Sequence, residues 1–281
     1  MSRYKIVADE STVQSFMNTV MPDLESRTQS YFLSLSARKK YFTAEQRKEY
    51  ALAHSEMFGR KLVSSKGGMI KALREFELPY GMYTVRKDSD QALPTDPHVL
   101  TAYLNLYPVD TIAAWVSANQ RISEALLNSA MHGSITEQFV PPMSTFMTEC
   151  QKTRAFRCFV DTDFDVPMYS QDERIELSRM VRDQLTQDRK AHLGDSATPL
   201  QGCTVFTSSG FHILLRTVSI GFPFMVSIQT VKANLKRDME EKGFSESDWE
   251  VVLNKNQMIP MPGTYQPVKG GDKHTVTFEK W

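Results

Sequence analysis

The sequence predicts an α+β fold in two parts. A mostly helical and mixed unit, residues 1–150, is expected to pack on a core with a mixed sheet, residues 151–281. The second part alternates patterns in the order strand, helix, strand-turn-strand, helix, strand. That order is typical of a split βαβ, RNA-recognition-like core. With 281 residues, 41% of them hydrophobic and 23% charged, the chain suffices for one large domain or two intimate ones.

Hydrophobic periodicity divides the first part into elements. Capping residues precede an apolar period over 9–21, which predicts a helix, and the alternation that begins at Tyr31 predicts a strand. A second helix is predicted over 43–63, with Thr43 as its N-cap. Further along we expect a loop over 88–99, a strand over 100–110 and a helix over 111–132 that ends at Gly133.

The second part begins with a predicted strand over 155–165. A helix over 170–188 follows, capped by Ser170 or Asp172, and its predicted apolar face is Leu177, Met180, Val181 and Leu185. The remaining predicted elements are a strand-turn-strand over 203–219, a helix over 224–242 stopped by Gly243, a strand over 247–256 and a loop over 258–271.

Charge and cysteine content narrow the class of protein. The 33 basic and 33 acidic residues balance, which permits a nucleic-acid partner because a local basic patch is enough to bind one. The first residues contain no apolar signal core, and no run of about 18 apolar residues predicts a membrane span. Three scattered cysteines argue against a disulfide framework and against a cysteine-built zinc site. We therefore expect an intracellular protein that is neither secreted nor bound to a membrane.

Three carboxylates at alternate positions, Asp161, Asp163 and Asp165, follow an apolar run. On a strand they share one face, where like charges repel and raise one another's pKa. A solvated strand end or a turn explains them without a ligand. Divalent metal binding explains them as oxygen ligands whose repulsion the ion relieves. On the second explanation, replacing Asp161 or Asp163 by alanine should leave the metal-free protein equally stable or more stable.

The segment TSSGFH, residues 207–212, is a second candidate for ligand binding. Gly210 can adopt a positive φ and admit a ligand close to the backbone, and successive N–H groups in such a turn bind anions. His212 can donate a hydrogen bond to a phosphate oxygen. The alternative is a plain hairpin turn with His212 as a half-buried strand residue. A third acid, Asp248, stands at the start of the strand predicted over 247–256.

In this order the three segments resemble the archaeo-eukaryotic primase superfamily, and most closely its primase-polymerase branch. CFVDTDFD resembles the hhhDxD motif through Asp161 and Asp163, and SSGFH resembles the serine-x-histidine motif through His212. SDWEVVLNKN resembles the third motif, with Asp248 as its aspartate. The resemblance covers residues 155–267 and is only architectural before them. In the second motif Gly210 stands where serine is usual, and in the third motif Gln257 stands where arginine is common.

The resemblance implies a DNA primase or primase-polymerase, a nucleotidyltransferase that makes or extends primers by two-metal phosphoryl transfer. It implies that Mg²⁺ or Mn²⁺ is bound by Asp161, Asp163 and Asp248. The implied nucleotide-binding residues are Ser209, Gly210, His212, Lys255 and Asn256. The basic cluster Arg38, Lys39 and Lys40 is a candidate for contact with the single-stranded DNA template, as are Arg216, Lys232 and Lys236.

The expected partners are single-stranded template DNA, nucleoside triphosphates and a separate helicase or other replication protein, because the chain has no GxxxxGK[ST] motif. The expected location is the cytoplasm or nucleoid, or a virus-infected host cell. Two alternatives stay open. One is a non-catalytic nucleic-acid-binding replisome module with a decayed primase fold, and the other is a metal-dependent nuclease that uses the same carboxylates.

Overall fold

The computed structural model describes residues 3–4, 6–37, 44–45, 56–74, 76–77, 101–131, 142–152, 158–195, 198–254, 258–268 and 273–281. Within these ranges the chain has the predicted α+β fold, with six α-helices. All the strand pairs described are antiparallel, whereas the sequence predicted a mixed sheet. None of the helices described is long and apolar enough to cross a membrane.

The elements up to residue 152 are β1 (Arg3–Tyr4), α1 (Glu10–Thr19), β2 (Gln29–Ala37), β3 (Glu56–Val63), α2 (Gly68–Arg74), β4 (Phe76–Glu77), β5 (Thr101–Asn105), β6 (Val109–Asp110), α3 (Thr111–Met131) and α4 (Pro142–Lys152). Those that follow are β7 (Phe159–Asp165), α5 (Gln171–Leu193), β8 (Gly202–Phe206), β9 (Gly210–Arg216), α6 (Phe224–Glu241), β10 (Glu250–Leu253), β11 (Met258–Pro260), β12 (Tyr265–Pro267), β13 (Lys273–Thr275) and β14 (Thr277–Lys280).

The C-terminal half contains a five-stranded antiparallel sheet with the strand order β10-β7-β9-β8-β14. Helices α5 and α6 cover one of its faces. The apolar side chains between sheet and helices include Phe164, Phe211, Val181 and Leu235. The connectivity β7-α5-β8-β9-α6-β10, with β7 and β9 central, is the split βαβ order that the sequence pattern predicted.

A second sheet has the order β11-β5-β2-β3. Helices α3 and α4 cover one face through contacts that include Phe32, Met147 and Cys150. Its other face packs against α1, α2 and the face of the first sheet that is not covered by α5 and α6. The residues of this shared apolar core include Leu33, Leu104, Phe16 and Leu214. Because β11 comes from the C-terminal half, the chain crosses between the sheets after Asn254, and the two halves are interlocked.

Local capping explains two of the helix starts. The side chain of Asp9 accepts a hydrogen bond from the Ser11 N–H and so caps α1. Ser170 caps α5 in a reciprocal capping box with Glu173. Both helices had been predicted from these residues, and the predicted strands at Tyr31, over 100–110, 155–165 and 203–219 are also present.

Two predictions of secondary structure were wrong, and so was the assignment of one residue to a buried helix face. Residues 56–63, predicted as the end of a helix, form β3, because pairing with β2 overrides their helix propensity. The predicted loop over 258–271 contains β11 and β12. Met180 does not lie on the buried face of α5, since it is 68% exposed. Helices α2 and α4 were not predicted at all.

Candidate functional site

Strand register brings the DxD motif and the histidine onto one face of the sheet. In the ladder between β7 and β9, Asp163 lies opposite His212 and Asp161 lies opposite Leu214. Phe164 points to the core under α5 and α6. Since strand side chains alternate, Asp161, Asp163 and His212 lie on the other face of the sheet. The structure therefore brings together three of the side chains that the sequence singled out.

The carboxylate of Asp161 is buried and has a partner on each oxygen. The residue is 1% exposed. Its Oδ1 lies 3.1 Å from His212 Nδ1, and its Oδ2 accepts a hydrogen bond of 2.7 Å from the side-chain amide of Asn254. The Asn254 backbone N–H also donates to the Asp161 carbonyl at 2.9 Å. A buried carboxylate is costly unless it is hydrogen-bonded, and these two donors meet that need.

His212 connects the two aspartates of the DxD pair. It is 6% exposed. Its Nε2 lies 3.7 Å from Asp163 Oδ1, and the Asp163 side chain is 36% exposed. Donation from Nδ1–H to Asp161 fixes the ring orientation and turns Nε2 toward Asp163. Exposure therefore increases across the site, from the buried carboxylate of Asp161 at Nδ1 of the imidazole to the partly exposed carboxylate of Asp163 at Nε2.

Asp248 is not part of this group. Its Oδ2 accepts hydrogen bonds from the N–H and the hydroxyl of Ser245, and these bonds lower the pKa of the carboxyl group. Strand β10 runs antiparallel to β7, with Glu250 opposite Asp165 and Leu253 opposite Thr162. Asn254 therefore reaches Asp161, whereas Asp248 lies beyond the other end of the strand, roughly 15–20 Å away at about 3.3 Å per residue. The exposed turn position of Asp248 separates it from the expected metal ligands.

The turn between β8 and β9 is held by protein contacts. Ser208 N–H donates to the Gln266 side chain at 2.8 Å, and Arg174 donates to the carbonyls of Thr207 and Ser208. The carbonyl of Ser209 accepts from Val166 N–H. The Ser208 N–H is therefore already used, which reduces the anion-binding capacity that the sequence assigned to this turn.

Gly210 serves the contact between strands. A Cβ atom at this position would lie 1.8 Å from the carbonyl oxygen of Phe164. The glycine does not have a positive φ, contrary to the reason that the sequence suggested for it. Glycine is required here because β7 and β9 approach too closely for any side chain. This also explains why serine, the usual residue at this motif position, is excluded.

The basic candidates are dispersed. Lys232 and Lys236 lie on α6, which covers the opposite face of the sheet, where Lys232 donates to the Val251 carbonyl and Lys236 pairs with Glu246. Arg216 is on the face of Asp161 and donates to the Val20 carbonyl. It lines a cavity of about 430 Å³ at the far end of β7 together with Lys280. The cluster 38–40 and the pair Lys255 and Asn256 lie outside the described residues.

Asn254 is the site residue that the sequence reasoning missed. Alternation along β10 places it on the same face as Val252, which lies opposite Asp163. Only the register of β10 against β7 identifies it, and spacing along the chain does not determine that register. In the ranges that the structure describes, no group of three or more His, Cys, Asp or Glu side chains is placed to hold a metal ion. Asp161, Asp163 and Asp248 therefore do not fit the three-carboxylate, two-ion site that the resemblance implies.

No protein-family model, curated protein or solved structure matches this chain. Function is therefore inferred from the sequence motifs and from the geometry of the site.

Proposed function

We propose that this chain is a template-dependent nucleotidyltransferase of the archaeo-eukaryotic primase type, a DNA primase or primase-polymerase. The observation that carries the proposal is the placement of Asp163 opposite His212 on the two central strands of a split βαβ sheet, on the face away from α5 and α6. A DxD pair and a histidine that converge on one face form a compact acidic site for phosphate chemistry.

The side chains of this site have distinct tasks in the proposed activity. Asp161 holds the His212 ring and is itself held by Asn254. Asp163 and the Nε2 edge of His212 face the incoming nucleoside triphosphate. A divalent ion, if held by Asp163 and the His212 ring, would supply positive charge to offset the triphosphate oxygens. Single-stranded DNA is the proposed template, an intracellular compartment the proposed location, and a separate helicase or other replication protein the proposed partner.

The test is a nucleotide incorporation assay on primed and unprimed single-stranded templates, with labelled nucleotides and either Mg²⁺ or Mn²⁺. We expect labelled products that depend on the template sequence, and we expect Asp163→Asn to abolish them. Asp183→Asn, a change on the exposed side of α5, is the matched control and should leave product formation unchanged. Degradation of the template without nucleotide incorporation would contradict this proposal and indicate a nuclease instead.

One observation favours a second candidate. The position beside Asp161 on β10 carries the neutral Asn254, and Asp248 is used in a turn. Loss of an acid from the site is what a non-catalytic nucleic-acid-binding module with a decayed primase fold would show. Salt-sensitive binding of single-stranded DNA with no incorporation on any template would support this candidate.

A further inference from the structure

We propose that His212 Nε2 and Asp163 are the ligands of a divalent transition-metal ion, and that Asp161 positions His212 without binding the metal. In this assignment only one aspartate of the DxD motif binds the metal, whereas the resemblance implies that both do. The role of the ion rests on the proposed nucleotidyltransferase function. Metal binding itself can be measured without any catalytic activity.

The first argument is the state of Asp161. Both of its oxygens accept hydrogen bonds, from His212 Nδ1 and from Asn254 Nδ2, and its side chain is fully buried. Each oxygen keeps a second lone pair, but binding a metal through it would require admitting an ion beside a fully buried side chain at the shared apolar core. A buried hydrogen bond to a charged group is lost at substantial cost, so the arrangement favours retention of both bonds.

The second argument is the orientation of the imidazole. Histidines that bind metals almost always donate the other ring N–H to a carboxylate or carbonyl, which fixes the tautomer and makes the ligating nitrogen more basic. The Asp161–His212 pair has this form, with Nδ1 toward the buried carboxylate and Nε2 toward the partly exposed Asp163. Asp161 is therefore a positioning residue in this assignment.

The third argument is the distance between the two donors. His212 Nε2 and Asp163 Oδ1 are 3.7 Å apart. Two ligands at right angles on an ion, each at about 2.1 Å, are separated by about 3 Å. Rotation of the partly exposed Asp163 side chain covers the difference. Water and substrate oxygens complete the coordination, as is usual for ions held by one or two protein side chains.

The ligand types select the class of ion. Imidazole nitrogen suits Fe²⁺, Ni²⁺, Cu²⁺ and Zn²⁺, whereas Mg²⁺ takes oxygen ligands and gives up its bound water reluctantly. A site of one imidazole and one carboxylate therefore favours the first-row divalent ions over Mg²⁺, with Mn²⁺ the weakest binder of that series. We expect Mn²⁺ to bind the whole chain at least tenfold more tightly than Mg²⁺ does in the absence of nucleotide.

The experiment is Mn²⁺ titration of the whole chain followed by electron paramagnetic resonance, with pulsed measurement of the ¹⁴N coupling that a bound histidine nitrogen produces. The wild type should show this coupling, and His212→Gln should lose it. Asp163→Asn should remove measurable binding. Asp161→Asn should weaken Mn²⁺ binding by about 10–100-fold, which is the usual effect of removing the hydrogen-bond partner of a metal ligand. The ¹⁴N coupling should persist when this variant is saturated with Mn²⁺.

Two further variants sharpen the result. Asp183→Asn controls for the loss of one negative charge and should leave the affinity unchanged. Asp248→Asn should also leave it unchanged, because this carboxylate lies in the Ser245 turn. Circular dichroism of each variant shows whether lost binding reflects lost folding.

Bound Mn²⁺ without ¹⁴N coupling overturns the assignment, as does loss of binding in Asp248→Asn or an absence of binding at millimolar Mn²⁺. The assignment and the proposed function fail separately. Coupling without nucleotide incorporation supports the metal site and refutes the polymerase, and incorporation without coupling does the reverse.

Discussion

Replacing Asp161 by alanine tests whether this carboxylate is a structural acceptor. The substitution leaves the donors His212 and Asn254 without their buried partner. Each hydrogen bond to a charged group is worth about 1.5–3 kcal/mol, and loss of the desolvation penalty and of repulsion from Asp163 offsets part of the sum. Removal of one partner from a buried charged network typically costs about 3–5 kcal/mol. We expect Asp161→Ala to destabilise the protein by about 3 kcal/mol.

Asp163→Ala is the matched variant on the same strand and the same face. Its side chain is 36% exposed, and its Oδ1 lies 3.7 Å from His212 Nε2. Partly exposed pairs at such a distance contribute at most about 1 kcal/mol. The two substitutions should therefore differ by about 2 kcal/mol, which corresponds to roughly 4 °C in Tm for a chain of this size.

Urea unfolding in the presence of a chelator measures this difference, with fluorescence and circular dichroism as independent probes. The unfolding midpoint should fall for Asp161→Ala while the slope m stays constant. The sequence suggested the opposite result, since repulsion between adjacent carboxylates would make either substitution neutral or stabilising. If Asp161→Ala matches or exceeds the wild type in stability, the hydrogen-bonded description of Asp161 is wrong and the repulsion dominates.

Three further predictions follow from individual contacts. Gly210→Ala should destabilise the protein by at least about 3 kcal/mol in the urea assay, because its Cβ would overlap the Phe164 carbonyl. The control Gly67→Ala has no atom within 4 Å of its Cβ and should change the free energy of unfolding by less than about 0.5 kcal/mol. Hydrogen bonds from Thr12 and Ser11 lower the pKa of Asp9 from 3.8 to about 2; its contribution to stability is present above pH 4 and lost as the pH falls through 2, so the Tm difference between wild type and Asp9→Ala should shrink over that interval. Replacing Lys232 and Lys236 together by alanine should leave the salt dependence of single-strand binding unchanged, as measured by fluorescence anisotropy, because both lie on the helix behind the sheet.

The sequence was sufficient for elements with strong local signals. The capping box at Ser170 and the alternation in 203–219 are local, and both were predicted correctly. Residues 56–63 were not, because their sequence favours a helix and only pairing with β2 makes them a strand. The crossing of β11 into the sheet of β5 likewise depends on contacts between residues far apart in the chain.

The parts of the site that depend on local pattern were predictable, and the parts that depend on strand register were not. The DxD spacing placed Asp161 and Asp163 on one face, and the order of motifs brought His212 near them. The motif spacing also assigned Asp248 to the site, but spacing along the chain does not determine strand register. In an antiparallel pair, a shift of six positions moves a side chain the length of the strand, which is why Asn254 lies beside Asp161 and Asp248 does not.

The gradient of burial along β7 determines how a substrate can reach this face. The apolar core shared with the N-terminal half covers Phe159 and Leu214, so the end of the sheet beside Asp161 is closed. Exposure increases at Asp163, and Asp165 is also partly exposed. In the proposed activity, a triphosphate would therefore approach from the Asp165 end, past the turn that Gln266 and Arg174 hold in place. From that direction it would meet Asp163 and the Nε2 edge of His212 first, and Asp161 would act on it only through the imidazole.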